Sequence, residues 1–537
     1  MVWTLFSAAT IGLSAWDWGA LIAYLLVVMA IGIWCAQGKH DTESYLLGGR
    51  SIAWWAVGVS FVVSLTSTLS FVGTPGEAYE HGLTLSLSLL VMPVAVITSF
   101  YLFVRFYFKQ RMFTPFGYLE QRFDHRVRAI AAALFWLTRL SYLALVLYSS
   151  SKVFEGAADW NIHRTIVLVG TVGIGYTILG GIRAVVWTDM IQFLAMTTGL
   201  IIMIAIVIQA VPGGVAGIFE TAFDNGRGFV GMQKRSFYLP GKEMLYERYI
   251  LWFILLNPFT QWLFYHSSDQ IALQRILSTS NYASAKRAMF TNLCISVPMS
   301  MLFYFLGLAL FSYYFHQPEA ARPASGDLAI FRFIAEKMPA PLAGLMIAAL
   351  LAAVMSTLDS GINSLSTIMT KDFYVRFFRK NASELEQVRY AKWMTAVVGV
   401  LAVATALILA TISENVKDSI MTTSWVWMAL DSVLPGIFLL AVLSRRATSG
   451  HALVAIFCGW VGSVGLMSLY FITKAQGRPI SMMLIGLGGL LITCTVGFVI
   501  TRFAPRRALQ EIKGLTIWTW NQEVDSSSSL SGPGREK

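Results

Sequence analysis

The chain has 537 residues, of which 56% are hydrophobic and 13% charged, with a mean hydropathy of +0.63. Such a composition excludes an ordinary water-soluble globular protein and predicts one integral membrane domain. The net charge of +11 sits in loops between apolar stretches, not in a basic, aromatic-interleaved soluble module, so nucleic acid is excluded as an expected partner.

Apolar stretches run from Asp17 to Phe503 with short polar breaks. The N-terminal run MVWTLFSAATIGLSAWDW has no basic flank and leads directly into a full-length apolar segment, so a cleaved signal peptide is not expected. At ~20 residues per crossing, about thirteen helices are predicted, centred near Leu26, Ser64, Val94, Leu143, Val172, Met203, Leu256, Leu302, Leu351, Leu401, Phe438, Gly462 and Leu490. Basic residues crowd into alternate loops: Arg105 to Arg128, Lys286 and Arg287, Lys371 to Lys392, and Arg445 with Arg446. That asymmetry places the N-terminus outside and the C-terminus in the cytoplasm of a plasma-type membrane. The connection from Val211 to Glu247 reads as an ordered external loop or short surface helix, and the Ser-rich tail as disordered. Cys35, Cys294, Cys458 and Cys494 fall inside apolar stretches without metal spacing, as packing residues do.

Polar side chains cost free energy at membrane depth, so their clusters point to a transport path. On the second helix, Ser60, Ser64, Thr66, Ser67, Thr68 and Ser70 lead into Gly73, Pro75 and Gly76, a composition that unwinds locally or kinks. On the ninth, Ser356, Ser360, Asn363 and Thr367 share one face, with Asp359 beside it. Hydroxyls and freed carbonyls suit a hard cation such as sodium, while the same stripe also suits helix–helix packing. No HExxH, GxSxG or phosphate-cradling loop is present, so an enzyme is not expected.

Three segments, LTSTLSFVGTPGEAY on the second helix, GGIRAVVWTDMIQ on the sixth and MSTLDSGINSLSTIMTKDFY on the ninth, resemble the sodium/solute symporter family, which includes sodium/glucose, sodium/iodide, multivitamin and sialic acid transporters. The resemblance implies an all-α, LeuT-like inverted repeat of five plus five helices working by alternating access. Residues 1–51 would hold the external N-terminus, first helix and a cytoplasmic loop. The repeats would occupy 52–210 and 247–446 around an external loop at 211–246, followed by two extra helices in 447–503 and a cytoplasmic tail in 504–537. The second and seventh helices would be broken. It further implies a sodium ion held by Val63, Thr66, Ala353, Ser356 and Thr357, and a second sodium position at Asp189, Asp359 and Ser360. At Asp359 the sialic acid transporter has a serine, a departure that leaves the second position strengthened, altered or lost here. Asp189 also reads as a helix cap.

The implied activity is inward sodium-coupled uptake of a small organic solute. No cofactor beyond the coupling ion is implied, and the expected unit is a monomer in the lipid bilayer. Ser67, Ser70 and Arg139 match substrate positions, with Tyr265, His266 and Asp431 as further candidates. Arg139, isolated in ALFWLTRLSYLALVLY, faces either a carboxylated solute or an internal carboxylate, Asp431 or Asp269. Proton coupling through Asp359 or Asp431, and a sensor or channel of the same fold, are the other readings that the residues leave open.

Overall fold

The computed structural model describes residues 13–35, 37, 41–158, 160–229, 245–247, 249–323, 325–412 and 429–520. The Ser-rich tail and 230–244 of the external connection lie outside them, and the described part of that connection carries a helix at Gly214–Asp224. The membrane-depth elements are α1 (Ala15–Cys35), α2 (Trp54–Leu65), α3 (Thr68–His81), α4 (Thr84–Lys109), α5 (His125–Ala158), α6 (Ile162–Ala210), α7 (Leu251–Ser267), α8 (Gln270–Leu277) and α9 (Tyr282–Phe315). They continue through α10 (Leu342–Ile368), α11 (Glu384–Ile412), α12 (Val433–Leu443), α13 (Ser449–Ala475) and α14 (Met483–Arg502).

Among the described residues nine helices are long and apolar enough to span a bilayer, against about thirteen crossings expected. The difference has physical causes. The second and seventh expected crossings are each divided into pieces, α2 with α3 and α7 with α8. The apolar helix around α12, Leu430–Leu443, is short. The 49 residues of α6 would extend ~74 Å at 1.5 Å per residue, more than twice the hydrocarbon thickness. This helix turns at Gly181, where φ is 57° and ψ −152°. A side chain there would also strike the Tyr45 carbonyl at 2.4 Å, which explains the glycine in GGIRAVVW.

Polarity is reversed relative to a soluble protein. Phe290 and Phe457 are 67% and 68% exposed, while Ser356, Asp359 and Asn363 are fully buried. α10 lies at the centre with nearly every side chain buried, packed along α6 and against α1 and α5. Its N-terminus is fixed by Asp17 of α1, whose carboxylate accepts the Gly344 N–H at 2.8 Å, a favourable anion at a positive helix end.

At the opposite pole of charge, Arg122 is buried and donates to the carbonyls of Ala441, Ser444 and Ala447 at 3.0, 2.7 and 3.1 Å, tying the last turn of α12 to the loop that follows it. Replacing Arg122 by Met strands those carbonyls. It is expected to lower stability by about 2–4 kcal/mol, read as a lower midpoint in detergent thermal unfolding. An unchanged midpoint would refute this role.

Candidate functional site

The ion candidates converge where α2 ends. Thr66 leaves helical dihedrals (φ −95°, ψ 89°) and Ser67 is extended (φ −86°, ψ 174°) before α3 resumes. Backbone groups at such a break are released from the helical pattern. α10 faces it: the Ser356 hydroxyl lies 3.3 Å from the Val63 carbonyl and 3.1 Å from that of Ala353, and Thr357 Oγ1 lies 3.2 Å from the same Ala353 carbonyl. These contacts are longer than the ~2.7–2.8 Å usual for O–H···O bonds. Four of the five expected groups therefore form one knot of neutral oxygens, with Thr66 at the break beside it.

A cavity of about 350 Å³ adjoins this break, large enough for a small organic molecule. Thr66, Ser67, Ser70 and Thr74 line it from α2 and α3; Tyr142 of α5, Gln261, Trp262 and Tyr265 of α7, and Asp431 before α12 line it from the other side. Gln261 donates to the Tyr265 hydroxyl at 2.9 Å. α7 contains Pro258 and leaves helical dihedrals at its cap residue Ser268, and Asp269 starts α8 by accepting the Ile271 N–H at 2.8 Å. This second break lies three positions beyond Tyr265.

Two expected substrate residues stand behind the cavity wall. His266 is buried, with Nδ1 2.9 Å from Ser99 Oγ and 3.0 Å from the Trp262 carbonyl. A carbonyl only accepts, so Nδ1 carries the hydrogen. Arg139 donates to Asp269 at 2.7 Å, has Nε 3.7 Å from Asp431, and lies over the rings of Phe135, Tyr142 and Phe264. Thr138 hydrogen-bonds the other Asp431 oxygen. Of the two readings of Arg139, the internal ion pair is the one present in this arrangement.

The second-ion residues are also together, joined by one that sequence reasoning missed. Arg275 of α8, fully buried, donates to Ser60 at 2.8 Å, to Asp189 at 3.0 Å and to Ser360. Ser60 itself donates to Asp189 at 2.5 Å, so Asp189 is paired within the bundle and caps no helix start. Asp359 accepts from Tyr176 at 2.6 Å. The α10 stripe divides: Ser356 meets the α2 break, Ser360 meets Arg275, and Asn363 and Thr367 bind Gln274 at 2.7 and 3.0 Å, which is helix packing. The signal for Arg275 was a charge in the short apolar run after Asp269.

The family model "sodium:solute symporter family" matches residues 45–459. A sodium/sialic acid symporter of Aliivibrio fischeri is 28% identical over 84% of this chain and 88% of its own length. One from Proteus mirabilis is 26% identical over 92% and 96%, and the human sodium-coupled monocarboxylate transporter 1 is 28% identical over 83% and 73%. A substrate-bound, outward-open structure of a Na+-coupled sialic acid symporter superposes with a TM-score of 0.82 at 25% identity, over 92% of this chain and 99% of that one. A nucleobase-cation-symport-1 family transporter shares the fold at a TM-score of 0.51 and 12% identity. Helical, multi-pass, broken at two crossings and carrying this match over most of its length, the chain belongs to the sodium:solute symporter family and has its LeuT-like five-plus-five inverted-repeat fold.

Proposed function

We propose that the oxygen knot of Val63, Thr66, Ala353, Ser356 and Thr357 holds the coupling sodium and that the adjoining cavity takes a small carboxylated solute, with Ser67, Ser70 and Tyr265 lining its seat. The observation that carries the reading is the Ser356 hydroxyl set against the Val63 carbonyl at the α2 break, with the Thr357 hydroxyl beside it on the Ala353 carbonyl of α10, next to the cavity. Closing the break around ion and solute together makes each bind better in the presence of the other. One sodium moving down ~100 mV gains about 2.3 kcal/mol, and a tenfold gradient adds about 1.4 kcal/mol, enough for roughly 500-fold accumulation of a neutral solute. The alternation of basic loops supports thirteen crossings with the N-terminus outside and the C-terminus cytoplasmic, and the repeats at 52–210 and 247–446.

Asp269 occupies Arg139 as the solute's carboxylate would. An unpaired guanidinium at this depth costs several kcal/mol, so Asp269 acts as a placeholder that an acid displaces, aided by the second carboxylate at Asp431. Asp431 on the cavity wall favours a second reading, a solute whose hydroxyl or ammonium donors meet that carboxylate. Purified protein in liposomes, given labelled carboxylated sugars, monocarboxylates, hexoses, vitamins and amines with and without an inward sodium gradient, decides between them. The expected result is sodium-driven uptake of an acid. Uptake of amines or polyols alone removes the carboxylate reading. Movement only with a proton gradient, or none, removes the sodium assignment in favour of a proton carrier or a sensor.

A further inference from the structure

After α14, residues 504–520 fold into a run of turns. The segment closes on itself where Thr519 Oγ1 donates to the Ile512 carbonyl at 2.6 Å and the Gly514 N–H to the Thr519 carbonyl at 3.2 Å. Ile512, Thr516 and Thr519 are fully buried, as in a segment tied down on the body of a protein and not in a loose terminus.

Its contacts fall on two sides. On one, Trp520 meets Phe106 edge-on with ring centroids 5.0 Å apart, and Arg105 Cζ and Lys109 Nζ, in the last turn of α4, stand 4.7 and 4.9 Å from its ring centre. Tyr118, in the short helix Phe116–Arg122 that follows, donates to the Leu515 carbonyl at 2.6 Å. On the other side, the Ile517 N–H donates to the Val442 carbonyl at 3.2 Å and the Arg507 N–H to that of Arg445 at 3.1 Å. Trp518 donates through Nε1 to the Leu443 carbonyl at 2.7 Å, and its ring lies 5.0 Å from Arg445. The segment thus supplies donors that the last carbonyls of α12 lack within their own helix. The Nε atoms of Arg105 and Arg445 are buried without a hydrogen-bond partner among the described residues, and in each case a tryptophan of the segment covers the guanidinium instead.

α4 belongs to the first of the repeats proposed above and α12 to the second, so residues 504–520 tie one repeat to the other. The cavity lies at the far end of both helices: on α4 it is lined by Leu85, Ser88, Leu89 and Met92, and Asp431 lines it just before α12 begins. A solute leaving on the side of the tie, the face that the basic loops assign to the cytoplasm, requires the repeats to move against each other. The seated tryptophans oppose that movement.

We propose that residues 504–520 are a strap that shuts the cytoplasmic side of the transporter, seated in the arrangement seen here and released when that side opens. Inward uptake loads sodium from outside while the cytoplasmic side is shut. Sodium and the seated strap therefore favour the same state, and by linkage each strengthens the other by the same factor. It rests on the sodium-symporter reading and adds a device that reading does not contain.

Hydrogen–deuterium exchange of the full-length protein in detergent, read on peptides covering 504–520, compares sodium chloride with choline chloride at equal ionic strength. Sodium is expected to slow exchange at Arg507 and Ile517 about tenfold, an ordinary size for a coupling between sites. W518A/W520A is expected to raise the sodium concentration for half-maximal thermal stabilisation by the same factor. W520F, which keeps an aromatic ring beside Arg105 and Lys109, is expected to stay within about twofold of wild type. A merely structural tail would lower the thermal midpoint of W518A/W520A and leave its sodium affinity unchanged. That outcome, or exchange indifferent to sodium in a chain that sodium does stabilise, overturns the proposal. If W518A/W520A does not fold, the sodium response of exchange in the wild-type chain decides. A wild-type chain that sodium neither stabilises nor drives to take up solute in liposomes overturns the symporter reading itself, and the strap with it.

Discussion

Ser356→Ala is expected to fold normally and to raise the sodium concentration for half-maximal uptake by about 30-fold. The hydroxyl is one of five oxygens assigned to the ion, and a contact to a charged group contributes ~2 kcal/mol, which converts to that factor at 1.4 kcal/mol per decade. Folding is spared because its contacts, at 3.1 and 3.3 Å, are long and go to carbonyls of Val63 and Ala353, and the Val63 carbonyl also accepts the Thr66 N–H. Thr357→Ala should act in the same direction, whereas Thr357→Ser keeps the oxygen and should transport at low sodium. Sodium titration of uptake at saturating solute measures all three. If the half-saturation of Ser356→Ala matches wild type, the ion lies elsewhere.

The oxygen knot was legible in sequence because hydroxyls recur at helical spacing on α10 opposite a Ser/Thr-rich segment that leads into Gly and Pro on α3, and because three motifs fall in family order. The α2 break was legible from that same Ser/Thr, Gly and Pro composition, whereas the break between α7 and α8 was expected only from the family resemblance. What sequence could not supply was the choice of partner. Arg275 meets Asp189 across 86 positions and Ser60 across 215, so nothing local marks it as the counter-ion. The α10 stripe reads as one face, yet its outer half binds Gln274 and its inner half the break and Arg275; only the packing of α8 against α10 divides it. The number of crossings was hardest, because hydropathy cannot distinguish one 49-residue helix from two helices joined at a glycine whose dihedrals turn the chain.

Arg139→Gln should be the most damaging change at the solute site, and Asp269→Asn should undo most of its structural harm. Removing the guanidinium leaves Asp269 and Asp431 buried without their shared cation, a loss of about 3–5 kcal/mol. A large drop in the thermal midpoint of purified protein is therefore expected. In the double variant Arg139→Gln/Asp269→Asn the uncompensated charge falls to that of Asp431, which keeps the hydroxyl of Thr138, so the midpoint should recover by more than half. Such non-additivity is the signature of residues in direct contact. Transport should not recover with it. If Asp269 keeps the place of a solute carboxylate, the double variant is folded but has no cation to offer an acid, and acid uptake stays low while sodium still protects it from unfolding. Recovery of acid uptake together with stability would mean that Arg139 serves only the internal pair, and that the solute is recognised by Asp431 and the hydroxyls of Ser67 and Ser70 instead.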